Sequence, residues 1–195
     1  MLSRPWPAAA DPAYSEFLAE NRTLILMQSI LFVLSSAALI WFLGCVRARL
    51  LRAEGRVGTV AEIAFGAGLV SAGMNMTGQA AQITLTLPSY ATLAPGVAAV
   101  GADLCLVTLA LANIPAGVMF AAVATLSFTR RAFPVWLAWI AVLAATASLL
   151  SGLAVIPTDG PLSPLGWLTN LLRLIPLLFY VPAAFVMMRR RSESG

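Results

Sequence analysis

Residues 23–46 read TLILMQSILFVLSSAALIWFLGCV, and residues 47–56 continue RARLLRAEGR. An uncharged run of this length crosses about 30 Å of hydrocarbon as a helix, for which about 20 residues suffice. The four arginines that follow carry the second half of the signal, because basic residues in short loops collect on the cytoplasmic face. Outward from this stretch, further apolar runs occupy residues 57–79, 100–128, 134–157 and 165–188. The reading predicts an all-α integral membrane bundle of five transmembrane helices. Residues 1–22 form an extracytoplasmic N-terminal segment, 23–188 one five-helix transmembrane domain, and 189–195 a basic cytoplasmic tail.

Composition agrees with this reading. Of 195 residues, 60% are hydrophobic and 10% charged, against about 45–50% and about 25% in soluble domains. All 12 basic residues are arginine, and neither Lys nor His occurs. Schiff-base chemistry on lysine is therefore excluded, as are imidazole bases, His-ligated haem and His metal sites. Cys45 and Cys105 fall near opposite membrane faces, which argues against a disulfide and against a cysteine zinc cluster. No metal and no cofactor is expected. The net charge of +4 reports orientation and not a nucleic-acid partner.

Arg47, Arg49, Arg52, Arg56, Arg130, Arg131, Arg189, Arg190 and Arg191 share one side of a five-span chain. Residues 80–99 and 158–164 carry no arginine. The positive-inside rule then places the N-terminus outside and the C-terminus in the cytoplasm of a bacterial plasma membrane. Residues 80–99, with Pro88 and Pro95-Gly96, read as an outer connector on or dipping into the interface; a sixth crossing would break the arginine bias. Asp11-Pro12 resembles a helix start leading into the first span, and no hydrophobic leader region precedes it. Trp41, Trp136, Trp139 and Trp167 take belt positions.

Three ionisable residues fall inside the spans: Glu62, Asp103 and Arg173. Placing such a group at a helix centre costs about 2.5–3.5 kcal/mol on insertion scales, so each is a functional candidate by default. Asp103 and Arg173 share the outer half. They either pair with one another, or Arg173 faces a cavity and holds a carboxylate, phosphate or carbonyl. On the second span Gly68, Ser71, Asn75, Gln79 and Gln82 keep to one helical face. Asn113 on the third span and Asn170 and Tyr180 on the fifth add polar groups. Asn113-Ile114-Pro115 predicts a kink whose freed carbonyls Asn or Ser side chains satisfy. Glu62 points away from the Asn75 stripe, toward the first-loop arginines.

The run 115–191 resembles small polytopic membrane proteins of GC-rich bacteria whose function is uncharacterised. Arg130-Arg131 before FPVWL (133–137), PLGWL (164–168) and the terminal arginines carry the likeness. The resemblance implies a helical membrane protein and assigns no activity.

The leading expectation is a protein that binds an amphipathic small molecule or lipid in an outward-facing, partly polar intramembrane pocket. Arg173 would clamp its head, and Asn75, Gln79, Asn113 and Asn170 would orient it. A second is an integral membrane isoprenoid or lipid enzyme, a proton-initiated cyclase or isomerase, with Asp103 or Glu62 as acid and Tyr180 as auxiliary. A third is an accessory subunit that packs against a membrane-protein partner.

Overall fold

The computed structural model describes residues 13–55, 58–87, 95–157, 160–164 and 166–189. Every regular element among them is helical: α1 (Ala13–Glu20), α2 (Arg22–Glu54), α3 (Thr59–Leu85), α4 (Pro95–Leu111), α5 (Asn113–Arg130), α6 (Val135–Leu153), α7 (Trp167–Leu174) and α8 (Leu177–Arg189). Four helical stretches are long and apolar enough to cross a membrane: Arg22–Glu54, Ala99–Arg130, Val135–Leu153 and Trp167–Met188. At about 1.5 Å per residue, the 33 residues of α2 extend about 50 Å, well beyond the hydrocarbon core.

The expected second span, α3, is a continuous helix of 27 residues but does not join those four. Its residues explain why. Ala61, Ala64, Gly68, Ser71, Gly78, Gln82 and Leu85 are buried at intervals of three, four or seven residues, a seam rich in small residues of the kind that lets membrane helices approach closely. The helix packs on α2, α5 and α4, and its remaining face is of mixed character, with Ile63 and Val70 as its large exposed apolar residues. On α2, Ser29, Ser36, Leu43 and Leu50 are buried at seven-residue intervals, the matching seam. The opposite face of α2 shows Leu24, Leu31, Leu34 and Trp41 to the surroundings.

Helix ends follow local chemistry. Asn21 breaks α1 from α2, its Nδ2 donating to the Phe17 carbonyl at 2.8 Å. Glu54 closes the α2–α3 turn: its two carboxylate oxygens accept from the Val60 and Ala61 N–H groups at 2.8 and 2.7 Å, satisfying donors that a helix start leaves open and setting negative charge there. The expected connector 80–99 is shorter than the sequence suggested. Helix α3 continues to Leu85, and α4 begins at Pro95; Pro interrupts a helix interior but is tolerated in its first turn. Pro88 lies outside the described residues, as do Asp11 and Pro12.

One end of the bundle is arginine-rich. Arg47 meets Glu62 there, and the Arg49 Nε donates to the Ala132 carbonyl at 2.6 Å. The last turns of α2 are thereby tied to the first turn of α3 and to the turn after α5. At the other end the Arg22 Nε donates to the Thr86 carbonyl at 3.1 Å. Between the two ends lies an apolar core around Leu43, Met119, Phe120, Leu137 and Phe179.

Candidate functional site

The polar stripe of α3 lies along its buried seam. Gly68 admits Leu43 and Met119, and Gly78 admits Leu109. Asn75 is half-buried and its Nδ2 returns to the Ser71 carbonyl at 3.1 Å. Gln79 is 4% exposed, and its Oε1 has no partner among the described residues.

Where Asn113-Ile114-Pro115 predicts a kink, the helical run is interrupted at Ala112, which keeps a right-handed helical backbone at φ -57° and ψ -22°. Helix α4 stops at Leu111 and α5 restarts at Asn113. Pro115 has no N–H to offer four residues back, and the break leaves further carbonyls without their helical donors. Asn113 repairs this locally: its Nδ2 donates to the Leu109 and Ala110 carbonyls at 3.1 and 3.0 Å. From the neighbouring helix the Ser71 Oγ donates to the Ala112 carbonyl at 2.8 Å.

The ion pair expected between Asp103 and Arg173 is not formed among the described residues. Asp103 is exposed. Helix α4 packs chiefly on α3 while α7 packs chiefly on α6, so the two charges belong to different sides of the bundle. Asn170 is exposed as well. Arg173 is half-buried, and its Nε is enclosed without a hydrogen-bond partner. On the same helix the Thr169 Oγ1 is buried and unpartnered, and α6 carries two more such hydroxyls, Ser148 and Ser151. Asn75, Gln79 and Asn113 thus lie along the α3 seam, and Arg173 and Asn170 on α7.

The two candidate acids, Glu62 and Asp103, and their auxiliary Tyr180 are dispersed. Glu62 is a surface residue in a two-point bridge, with the Arg47 Nη2 at 2.5 Å and Nε at 3.1 Å from its oxygens. Arg47 also lies 5.3 Å from the Phe65 ring centroid. Tyr180 packs edge-on to Phe42 at 5.6 Å and against Phe120 at 5.7 Å. It therefore occupies the arginine-rich half, whereas Asp103 shares the other half with Cys105, whose thiol donates to the Gly78 carbonyl.

One feature of the arginine-rich end was read from the sequence only as an orientation signal. A groove of about 900 Å³ opens between α2, the α5–α6 turn and α8, lined by Arg52, Arg130 and Arg131 together with Trp41, Met187 and Met188. The α5 helix ends at Arg131 with φ 54°, a left-handed terminus where glycine is the usual residue, so an arginine there stands out.

Comparison of the chain with protein-family models, with curated proteins and with solved structures finds no match.

Proposed function

We propose that this chain is a five-span protein of a bacterial plasma membrane, N-terminus outside and C-terminus cytoplasmic, that binds an amphipathic small molecule or lipid in a partly polar pocket of the outer half. Helix α3 is the second span in this reading, its low hydrophobicity offset by the three helices around it. The orientation rests on the clustering of Arg47, Arg49, Arg52, Arg130 and Arg131 at one end.

The observation that carries the binding reading is Arg173. A guanidinium with an enclosed, unpartnered Nε and no carboxylate bridge is completed by an anionic or carbonyl-bearing head. The unpartnered hydroxyls of Thr169, Ser148 and Ser151 offer further polar contacts on α7 and its neighbour α6. The enzymatic alternative has less support. An acid that protonates an alkene works inside an enclosed, apolar cavity, while Glu62 is bridged to Arg47 and Asp103 stands on the outer surface of the bundle.

The test is native mass spectrometry of gently extracted protein, followed by organic extraction. A stoichiometric amphipathic molecule that disappears in Arg173→Ala, with the thermal midpoint retained, supports the pocket. A bare chain, or one carrying a second polypeptide, overturns it and favours the accessory-subunit reading.

A further inference from the structure

We infer that the groove at the arginine-rich end is a binding site for an anionic phospholipid of the leaflet in which that end lies. This site is separate from Arg173 and rests on different observations. Charge comes first. Arg52, Arg130 and Arg131 border the groove, and none has a carboxylate within ion-pairing distance among the described residues. The described carboxylates of this end are already committed: Glu62 to Arg47, and Glu54 to the α3 N–H groups. Three cations therefore converge without a counter-ion. Fixed neighbours hold the wall beside them, since Arg49 is anchored to the Ala132 carbonyl and lies 4.6 Å from the Phe133 ring centroid.

Shape supplies the second half. Beside the cationic rim stand Trp41, 83% exposed, and Met188, 59% exposed, with Met187 of α8 also lining the groove. A solvated basic loop has no need of such a wall. A diacyl phosphate does: its head sits among guanidiniums while its chains run along Trp41 and α8. Basic pockets between membrane helices bind anionic head groups by this combination.

Arg131 adds a third, independent observation. A non-glycine residue at φ 54° sits in a conformation disfavoured for side chains carrying a Cβ. Glycine in its place would relieve that strain and remove one groove cation. Fold stability and lipid retention should therefore move in opposite directions in Arg131→Gly.

The experiment uses the full chain in mild detergent, titrated with phosphatidylglycerol or with phosphatidylcholine of the same acyl chains, and read by native mass spectrometry and by thermal unfolding. The expected result is at least a fivefold preference for phosphatidylglycerol. It should be reduced to near parity in a variant combining Arg52→Ala, Arg130→Ala and Arg131→Gly, and reduced in part in Arg131→Gly alone, whose lipid-free thermal midpoint is equal to or above the parent's. Equal retention of the two lipids overturns the proposal, as does a preference unaffected by Arg131→Gly. Displacement of phosphatidylglycerol by millimolar inorganic phosphate also overturns it, by assigning the rim to a free anion.

Discussion

The Ser71 hydroxyl of α3 reaches across to the Ala112 carbonyl at 2.8 Å, the residue at which the long apolar run 99–130 breaks into α4 and α5. A side chain on one helix thus tethers the hinge of its neighbour. Together with Asn113 it accounts for how the carbonyls freed at a proline-containing helix break are satisfied among apolar side chains.

Loss of either group should weaken the fold unequally. Asn113→Leu leaves the Leu109 and Ala110 carbonyls without their side-chain donor and is expected to cost about 1–3 kcal/mol. Ser71→Ala removes one interhelical bond and is expected to cost about 0.6 kcal/mol. Denaturant titration in detergent orders the two; a Ser71→Ala effect as large as that of Asn113→Leu would contradict this division of labour.

Glycines at the helix contacts differ in what surrounds them. A Cβ on Gly117 meets Leu149 Cγ at 2.7 Å and the Ala145 carbonyl oxygen at 3.2 Å; one on Gly152 meets Ile114 Cγ1 at 2.5 Å and Ile114 N at 3.3 Å. Because backbone atoms are involved at both, Gly117→Ala and Gly152→Ala should each destabilise by about 1–3 kcal/mol. Gly66 and Gly73 have nothing within 4 Å of the added carbon. There alanine should be neutral or stabilising by up to about 1 kcal/mol through helix propensity. Thermal midpoints of the four variants test the contrast.

The Arg47–Glu62 bridge predicts a recovery pattern. Both side chains are well exposed, at 41% and 49%, so each single charge reversal, Arg47→Glu or Glu62→Arg, should lower the thermal midpoint only modestly, and the double reversal should restore it. The difference should shrink in high salt. Failure of the double variant to recover would assign Glu62 a role other than pairing.

Orientation is testable with single cysteines. In a background carrying Cys45→Ser and Cys105→Ala, Leu162→Cys should react with a membrane-impermeant maleimide added to intact cells. Thr59→Cys, at the start of α3 and hence at the arginine-rich end, should react only after permeabilisation. The reverse pattern would invert the proposed topology, and labelling of both from outside would remove α3 as a span.

Hydrophobic run length and arginine position made the helices legible, and Asn113-Ile114-Pro115 marked the break between α4 and α5. The stripe Gly68, Ser71, Asn75, Gln79 was equally visible, but a period of 3.6 residues says only that one face is special. Whether that face lines a cavity or a packing seam depends on the neighbours, and here Leu43 and Leu109 fill it. Pairing of Asp103 with Arg173 failed for a related reason. Depth along a helix can be counted from sequence, whereas rotation about its axis and the choice of neighbour cannot. The groove at Arg52, Arg130 and Arg131 is not legible in the sequence, because basic residues flanking apolar runs are accounted for by orientation alone.

The small-residue seam of α3 also bears on how the chain is made. In the proposed five-span arrangement this helix enters the bilayer with glycine, serine, asparagine and glutamine where its neighbours carry leucine, so it partitions poorly as a lone segment. Its insertion is then tied to a preceding helix already in place, and the tight turn closed by Glu54 supplies that companion at once. Helices α2 and α3 would leave the translocation channel as a hairpin, and a mutation that opens their turn would be felt first as poor membrane integration and degradation, ahead of any loss of binding.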